Sequence, residues 1–158
     1  MALFRRAPES PSSPAPEPES DENWELAQGE VNGKPLIVRW DAAAAAACPD
    51  SERPVKLTVG IQCPKPQRNG LPSASDLVLL EAMEEALFAE LPALAGTEPV
   101  LVLTTNGMRE WIVYAATHDW IASWAPGFQQ RFLKGRAGKV EAVREPGWET
   151  FVEWTATG

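Results

Sequence analysis

Alternating and helical patterns of apolar side chains divide most of the chain into strands and helices. Residues 24–31 and 36–40 are two short strand-like runs that meet at Asn32-Gly33, a turn signal typical of a β-hairpin. Between residues 55 and 62, aliphatic residues alternate with Lys, Thr, Gly and Gln, which predicts a strand with one apolar face. The pattern therefore predicts a hairpin followed by a third strand.

A long helix is predicted after the Pro- and Gly-rich loop that follows the third strand. Ser73 and Asp76 have the spacing of a capping-box pair, and apolar residues then recur every three or four positions as far as Leu91. We expect this amphipathic helix to end near Gly96. The alanine run 42–47 predicts only a short helical turn or a loop, because so short a run does not hold a helix alone.

Two further apolar runs, 100–105 and 109–115, flank an Asn-Gly pair and predict a second hairpin. Aromatic residues at helical spacing between 120 and 132 then predict a second helix, with Thr117 as its N-cap and a kink or split near Pro126. Residues 139–143 can form one more strand.

The element order from residue 55 onward is strand, helix, strand, strand, helix, strand. This βαββαβ order is that of a two-layer ferredoxin-like sandwich, in which two helices cover one face of an antiparallel sheet. We therefore expect an α+β fold of this type, with the N-terminal β-hairpin extending or flanking the sheet.

The length of 158 residues is typical of one domain. Residues 1–22 are rich in Pro, Glu and Ser and contain almost nothing to bury, so we expect a disordered tail there. Residues 23–158 are expected to form a single α+β domain.

The net charge of −8 argues against direct nucleic-acid binding, because a polyanion is repelled by an acidic protein. No apolar run approaches the roughly 20 residues needed to span a bilayer, and the N-terminus lacks the apolar core of a signal peptide. We expect a soluble cytoplasmic protein with no membrane association.

Three segments carry a family resemblance: NGLPS at 69–73, EAMEEAL at 81–87 and TTNGMREWIVYA at 104–115. Together they resemble the bacterial domain-of-unknown-function family numbered 695 over about residues 24–154. Some members of that family are joined to a domain like the small acidic regulator of ribonuclease E. The resemblance implies a regulatory or partner-binding role, and it supplies no catalytic signature.

The acidic helix is the first candidate binding surface. Glu81, Glu84 and Glu85 lie close together on the predicted helix, since positions four apart are neighbours. They form either an ordinary solvated face or a surface that attracts a basic partner. No metal-binding spacing accompanies them, so we expect no metal and no cofactor.

A second candidate surface combines the Gly70-Leu71 loop with Arg109-Glu110, which follows the Asn-Gly turn of the second hairpin. Loops on a rigid scaffold often carry function, so these residues are predicted to form a recognition edge. The alternative is a pair of solvated charges that contribute little.

Four aromatic residues within a short stretch, Trp111, Tyr114, Trp120 and Trp124, are candidates for one aromatic pocket. Core packing between the sheet and the second helix is the simpler explanation. An RNA-binding platform is excluded by the acidic charge and by the lack of an RNP-type segment.

The remaining candidate chemistry is sparse. His118 next to Asp119 allows a general base, with Glu110 or Asp119 as the partner acid. Cys48 and Cys63 are too few for a zinc site, although a redox disulfide stays open.

We expect a binding or regulatory module without enzymatic activity that docks a protein partner through the acidic helix face and the loop and hairpin tips. Two alternatives remain. One is a small enzyme that uses His118 in an aromatic pocket, and the other is an immunity-type inhibitor of a basic toxin or nuclease. The sequence does not indicate the oligomeric state.

Overall fold

The structure is a computed structural model, and it describes residues 3–6 and 23–155. Its elements, in chain order, are β1 (Leu3–Arg6), β2 (Trp24–Val31), β3 (Lys34–Asp41), α1 (Ala42–Ala47), β4 (Val55–Gln62), α2 (Ala74–Ala95), β5 (Leu101–Thr105), β6 (Met108–Ala115), α3 (Ile121–Phe128) with a π-helical turn (Gln129–Leu133), β7 (Gly138–Arg144) and α4 (Glu149–Thr155).

All seven strands lie in one sheet of order β1-β2-β3-β5-β6-β4-β7. Every neighbouring pair is antiparallel. The N-terminal hairpin extends the sheet through the pairing of β3 with β5, as the sequence predicted. The mixed α+β class is therefore confirmed.

The strand β1 corrects the prediction of a tail. Leu3–Arg6 lies in the segment expected to be disordered, yet it pairs with β2 in antiparallel register. The composition of a segment indicates how much apolar side-chain surface it can bury. A strand added at a sheet edge is held by main-chain hydrogen bonds instead, which composition does not reveal. The rest of the predicted tail, residues 1–2 and 7–22, lies outside the described residues.

Both predicted hairpin turns are confirmed by their backbone geometry. Asn32 and Gly33 have φ of 51° and 80°, and Asn106 and Gly107 have φ of 49° and 78°. Two consecutive positive φ values are the signature of the type I′ turn, which Asn-Gly pairs tolerate best.

Helices cover both faces of the sheet, whereas the sequence predicted helices on one face only. α2 and α3 pack on one face, against Leu57, Val59 and Ile61 of β4. α4 packs on the opposite face, where Phe151 joins a second apolar cluster with residues of β3, β5 and β6. The physical reason is visible in β5 and β6, whose continuous apolar runs leave apolar side chains on both faces.

The long helix α2 begins and ends as predicted. Ser73 is the N-cap, and its side chain and that of Asp76 form a complete capping box, while Gly96 closes the helix in the left-handed conformation. Two apolar residues near its start, Leu77 and Val78, are 39% and 71% exposed. The helix is therefore apolar on part of its outer surface as well.

The start of α3 differs from the prediction. Trp120 occupies the N-cap position and makes no side-chain capping bond, so Thr117 is not the cap. The backbone carbonyl of Thr117 instead accepts a hydrogen bond from the indole of Trp120 at 2.9 Å. The helix continues through Pro126, and its winding changes only after Phe128, where the π-helical turn begins.

None of the helices in the described part of the chain is long and apolar enough to cross a membrane.

Candidate functional site

The Gly-Leu-Pro loop and the second hairpin meet at one end of the sheet. The Gly107 N–H donates to the Gly70 carbonyl at 2.7 Å, and the Cys63 N–H donates to the Gly107 carbonyl at 2.7 Å. Residues 63–72 together with 106–107 are called the loop–hairpin edge below. The structure thus brings together the two segments that the sequence predicted to form a recognition edge.

Within this edge, the predicted residues are structural rather than presented to solvent. Gly70 is buried against the hairpin turn, and Leu71 is half-buried. The exposed residues of the edge are Pro64, Lys65, Pro66, Gln67, Arg68, Asn69 and Asn106. Gly70 and Leu71 were singled out by their place in a recognisable motif, and sequence alone did not separate buried from exposed positions of the loop.

The carboxylate of Asp76 joins the loop–hairpin edge to α2. It accepts hydrogen bonds from the backbone N–H of Lys65 at 2.9 Å and of Ser73 at 3.1 Å. Asp76 is only 2% exposed, so these contacts fix the loop directly to the first turn of the helix.

Gly70→Ala is expected to lower the free energy of unfolding by about 2 kcal/mol. Gly70 has φ of +91°, and a Cβ there would lie 2.9 Å from the Cα of Asn106, a backbone atom that cannot move aside cheaply. Urea unfolding followed by tryptophan fluorescence measures the loss.

Gly33→Ala is the matched control for this change. Gly33 has φ of +80°, but a Cβ there meets no atom within 4 Å, so alanine adds backbone strain without a clash. Its expected cost is about 1 kcal/mol. Equal losses in the two variants would show that the close contact between the loop and the hairpin does not add to the cost of the Gly70→Ala substitution.

The three predicted acids of α2 fall into two environments. Glu84 is half-buried and its carboxylate accepts hydrogen bonds from Arg39 at 2.6 Å and from the indole of Trp111 at 2.9 Å. Glu81 and Glu85 are exposed and make no ion pair within the described residues. Only these two acids are therefore available to an external partner.

Arg109 lies in the same cluster, on the face of the sheet that α2 covers. Its Nε donates to the hydroxyl of Thr104 at 2.9 Å. Burial, together with the nearby charge of Arg39, lowers the pKa of Arg109. The sequence analysis did not identify Arg39 as a site residue. Its alternation with the apolar residues of β3 indicates which face of the sheet it lies on. No neighbouring residue in the sequence indicates that it pairs with Glu84.

Glu110 does not accompany Arg109. Neighbouring residues of a strand point to opposite faces, and Glu110 pairs on the far side of the sheet with Lys139 at 3.0 Å. The hydrogen bond that Lys139 donates to the carboxylate of Glu110 raises the pKa of Lys139. Arg109 and Glu110 thus belong to two separate surfaces, contrary to the prediction of a single pair.

The predicted aromatic pocket does not exist, because its members lie on both sides of the sheet. Trp111 and Trp124 are buried in the core under α2 and α3, with Trp120 packed 5.7 Å from Trp124. Tyr114 lies in the opposite cluster and stacks on Trp148 at 4.1 Å. Core packing, the simpler explanation, accounts for these rings.

His118 and Asp119 are exposed in the loop after β6, and Glu110 lies toward the opposite end of that strand. The pairing of His118 with Glu110 is therefore wrong. A shallow depression of about 500 Å³ contains His118, Asp119 and Arg144, and no hydrogen bond links His118 to Asp119 in the described structure. Within the described residues, no side-chain hydrogen bond holds His118 in the orientation of a general base.

Cys48 follows α1 and Cys63 follows β4, and both cysteines are free. Burial raises the pKa of both thiols, which makes them less reactive. Among residues 3–6 and 23–155, no three His, Cys, Asp or Glu side chains are grouped to hold a metal ion.

Comparison with known proteins identifies the family to which the chain belongs. Searches of curated proteins and of solved structures each found no match. The model of a family of unknown function, DUF695, matches residues 22–154, which is most of the chain. These residues include α2, the loop–hairpin edge and both faces of the sheet, and the chain therefore belongs to the DUF695 family.

Proposed function

We propose that this protein is a docking module without enzymatic activity, which binds a protein partner through the outer surface of α2. This surface, called the α2 outer face below, consists of Leu77, Val78, Glu81, Ala82, Glu85 and Ala89. The observation that carries the proposal is Val78, which is 71% exposed in the second turn of a well-formed helix.

The composition of the α2 outer face is unusual for a solvated helix surface. Exposed helix positions normally carry charged and polar residues, whereas this face mixes two acids with apolar and small side chains. A helix that is apolar around most of its circumference is usually covered on both sides. The small alanine side chains would let a partner backbone approach closely.

The charge of the face indicates the chemistry of the partner. Glu81 and Glu85 are one turn apart and lack ion pairs within the described residues, and the chain as a whole carries −8. The complementary partner is a basic segment with apolar side chains, such as an amphipathic helix that lies along α2. Lys or Arg side chains would pair with the two acids, and apolar side chains would cover Val78.

The loop–hairpin edge extends this surface at one end. Ser73 caps α2 directly after the loop, so the exposed residues 64–69 adjoin the first turn of the α2 outer face. Because Asp76 fixes the loop to the helix, both parts form one preorganised surface.

The test is affinity capture from a lysate of the source organism with the full chain as bait, read by mass spectrometry, followed by affinity measurement with the purified partner. Val78→Glu is expected to weaken binding at least tenfold, because it places a charge on the most exposed apolar side chain of the interface. Glu81→Gln with Glu85→Gln is expected to weaken binding and reduce its dependence on salt.

Val152→Glu is the matched control, since Val152 is 47% exposed on α4, on the other side of the sheet. It should leave binding unchanged. Retention of the partner by Val78→Glu, or a partner without basic residues at the contact, would contradict the proposal.

An immunity-type inhibitor is a more specific form of the same proposal. It is favoured by the acids at positions 81 and 85, which suit a basic toxin or nuclease. If the captured partner is such an enzyme, the wild-type protein should inhibit it and Val78→Glu should not. The alternative of a small enzyme has less support, because His118 and Asp119 form only an exposed pair without an oriented third group.

We further propose that the protein acts in the cytoplasm.

We also propose that residues 55–144 form a ferredoxin-like unit. In support of this fold, α2 connects β4 to β5 with β6 between them, and α3 with its π-helical turn connects β6 to β7 with β4 between them. Two interlocked connections of this type define the split βαβ arrangement. A relative solved with this strand order and direction would test the assignment.

A further inference from the structure

A pocket of about 330 Å³ lies at the tips of the two hairpins, on the face of the sheet opposite α2. We call it the tip pocket. It is lined by Val31, Asn32, Lys34, Leu36, Leu103, Thr105, Asn106, Met108, Glu110 and Trp154. Its volume falls at the lower end of the range of about 300–1,000 Å³ that is typical of small-molecule sites.

The interior of the tip pocket is apolar. Leu36 and Leu103 form its floor and are 1% and 6% exposed, while Met108 at the rim is 39% exposed. Trp154, near the end of α4, forms one wall. The floor is sheet and one wall is helix, so rigid elements form much of the cavity, and the two hairpin turns supply Asn32 and Asn106.

The polar groups at the mouth of the pocket are mainly unengaged hydrogen-bond donors. Lys34 makes no ion pair, and the side-chain amides of Asn32 and Asn106 make no hydrogen bond, within the described residues. Both asparagines are held in place by their hairpin turns, where they adopt positive φ. One ammonium and two amides therefore line a single cavity.

The other two polar side chains that line the pocket, those of Glu110 and Thr105, already have partners. The carboxylate of Glu110 pairs with Lys139 at 3.0 Å, and the hydroxyl of Thr105 donates to the Pro35 carbonyl at 2.7 Å. The unbalanced charge at the mouth is consequently the positive charge of Lys34. An anionic group suits this mouth, and an amine does not.

We propose that the tip pocket binds a small organic monocarboxylate with an aliphatic or aromatic body. The carboxylate accepts hydrogen bonds from Lys34 and from the two asparagine amides, and the apolar body lies on Leu36 and Leu103 against Trp154. The site is separate from the α2 outer face, which lies on the other side of the sheet. The proposal for the tip pocket and the proposed docking function can therefore be contradicted independently of each other.

Phenylacetate and hexanoate are suitable probes, titrated into the full chain and followed by the NMR signals of the Met108 methyl group and the Trp154 indole N–H. We expect saturable shifts of both signals with phenylacetate. Phenylacetamide, which keeps the shape and loses the charge, is expected to bind at least tenfold more weakly, and benzylamine is expected not to bind.

Two variants distinguish the contribution of the Lys34 charge to binding from that of the apolar cavity. Lys34→Gln is expected to weaken phenylacetate binding about tenfold, and Met108→Trp is expected to block it by filling the rim. Lys134→Gln, an exposed cation outside the pocket lining, is the matched control and should have no effect. The proposal is overturned if no saturable shift occurs below about 10 mM, if phenylacetamide binds as well as phenylacetate, or if Lys34→Gln and Lys134→Gln behave alike.

Discussion

Replacing Glu145 with alanine is expected to lower the free energy of unfolding by about 3 kcal/mol. Its carboxylate accepts hydrogen bonds from the Tyr114 hydroxyl at 2.6 Å and from the backbone N–H and hydroxyl of Thr150 at 3.1 and 2.9 Å. It also lies 3.3 Å from the Lys56 ammonium, and only 15% of its side chain is exposed. Alanine would remove the acceptor of the Tyr114 hydroxyl and of both Thr150 donors, and would leave Lys56 with only the Thr150 hydroxyl as its partner.

The loss should be concentrated in α4, because Glu145 connects this helix to the sheet. Burial, reinforced by Glu145, raises the pKa of Tyr114, so its hydroxyl is protonated and able to donate at neutral pH. The backbone N–H of Phe151 in turn donates to the Tyr114 hydroxyl at 3.3 Å. Hydrogen exchange in Glu145→Ala should therefore accelerate first at residues 149–155.

Glu153→Ala is the matched control, since Glu153 is an exposed acid on the same helix. It is expected to change stability by no more than about 0.5 kcal/mol. Urea unfolding at pH 7 measures both variants. Similar losses in Glu145→Ala and Glu153→Ala would mean that the buried network does not hold α4 to the sheet.

The elements that the sequence predicted well are those with local causes. Both hairpins follow from Asn-Gly pairs that adopt positive φ, and α2 follows from the capping box of Ser73 with Asp76 and from the glycine at 96. In each case, the residues that determine the element lie within it or next to it.

The elements that the sequence did not predict depend on distant contacts. Leu3–Arg6 becomes a strand because the edge of β2 is present, and α4 becomes a helix on a face that β3, β5 and β6 create. Neither segment has a cap signal or a strong period that would identify it in isolation. Tertiary context decides both.

Some features of the candidate site residues were likewise predicted from the sequence, and others were not. The meeting of Gly70 with the second hairpin was predicted, although the burial of Gly70 was not. Trp111 and Tyr114 were grouped by their closeness along the chain, yet three positions along a strand place two side chains on opposite faces. Strict use of the strand period would have separated them.

Glu84→Ala is expected to cost about 3 kcal/mol, as the second of the two large effects. Glu84 joins α2 to the sheet as Glu145 joins α4, through hydrogen bonds from Arg39 and from the Trp111 indole. Its side chain is 27% exposed and that of Arg39 is 24% exposed, so solvent screens the pair only in part. The variant leaves the Trp111 N–H without its acceptor in the core and removes a negative charge from beside Arg109.

The same carboxylate makes stability depend on pH in a defined direction. Burial raises the pKa of Glu84, but Arg39 and the hydrogen bond from Trp111 outweigh it and hold the pKa below its ordinary value. A group whose pKa is lower in the folded state stabilises the fold fully above its unfolded pKa of about 4.3, and that contribution is lost as pH falls through the folded value. The stability difference between wild type and Glu84→Ala should therefore be constant from pH 7 to about pH 5 and shrink below that.

Urea unfolding at steps from pH 7 to pH 3 measures this difference, with Glu85→Ala as the matched control. Glu85 is the next residue of α2, exposed and without an ion pair within the described residues, so its removal should change little at any pH. Glu145 also has a lowered pKa, so the acid sensitivity that persists in Glu84→Ala should decrease further in the double variant with Glu145→Gln. A difference between wild type and Glu84→Ala that stays constant down to pH 3 would contradict the charged pairing of Glu84 with Arg39, because the loss would then arise from packing alone.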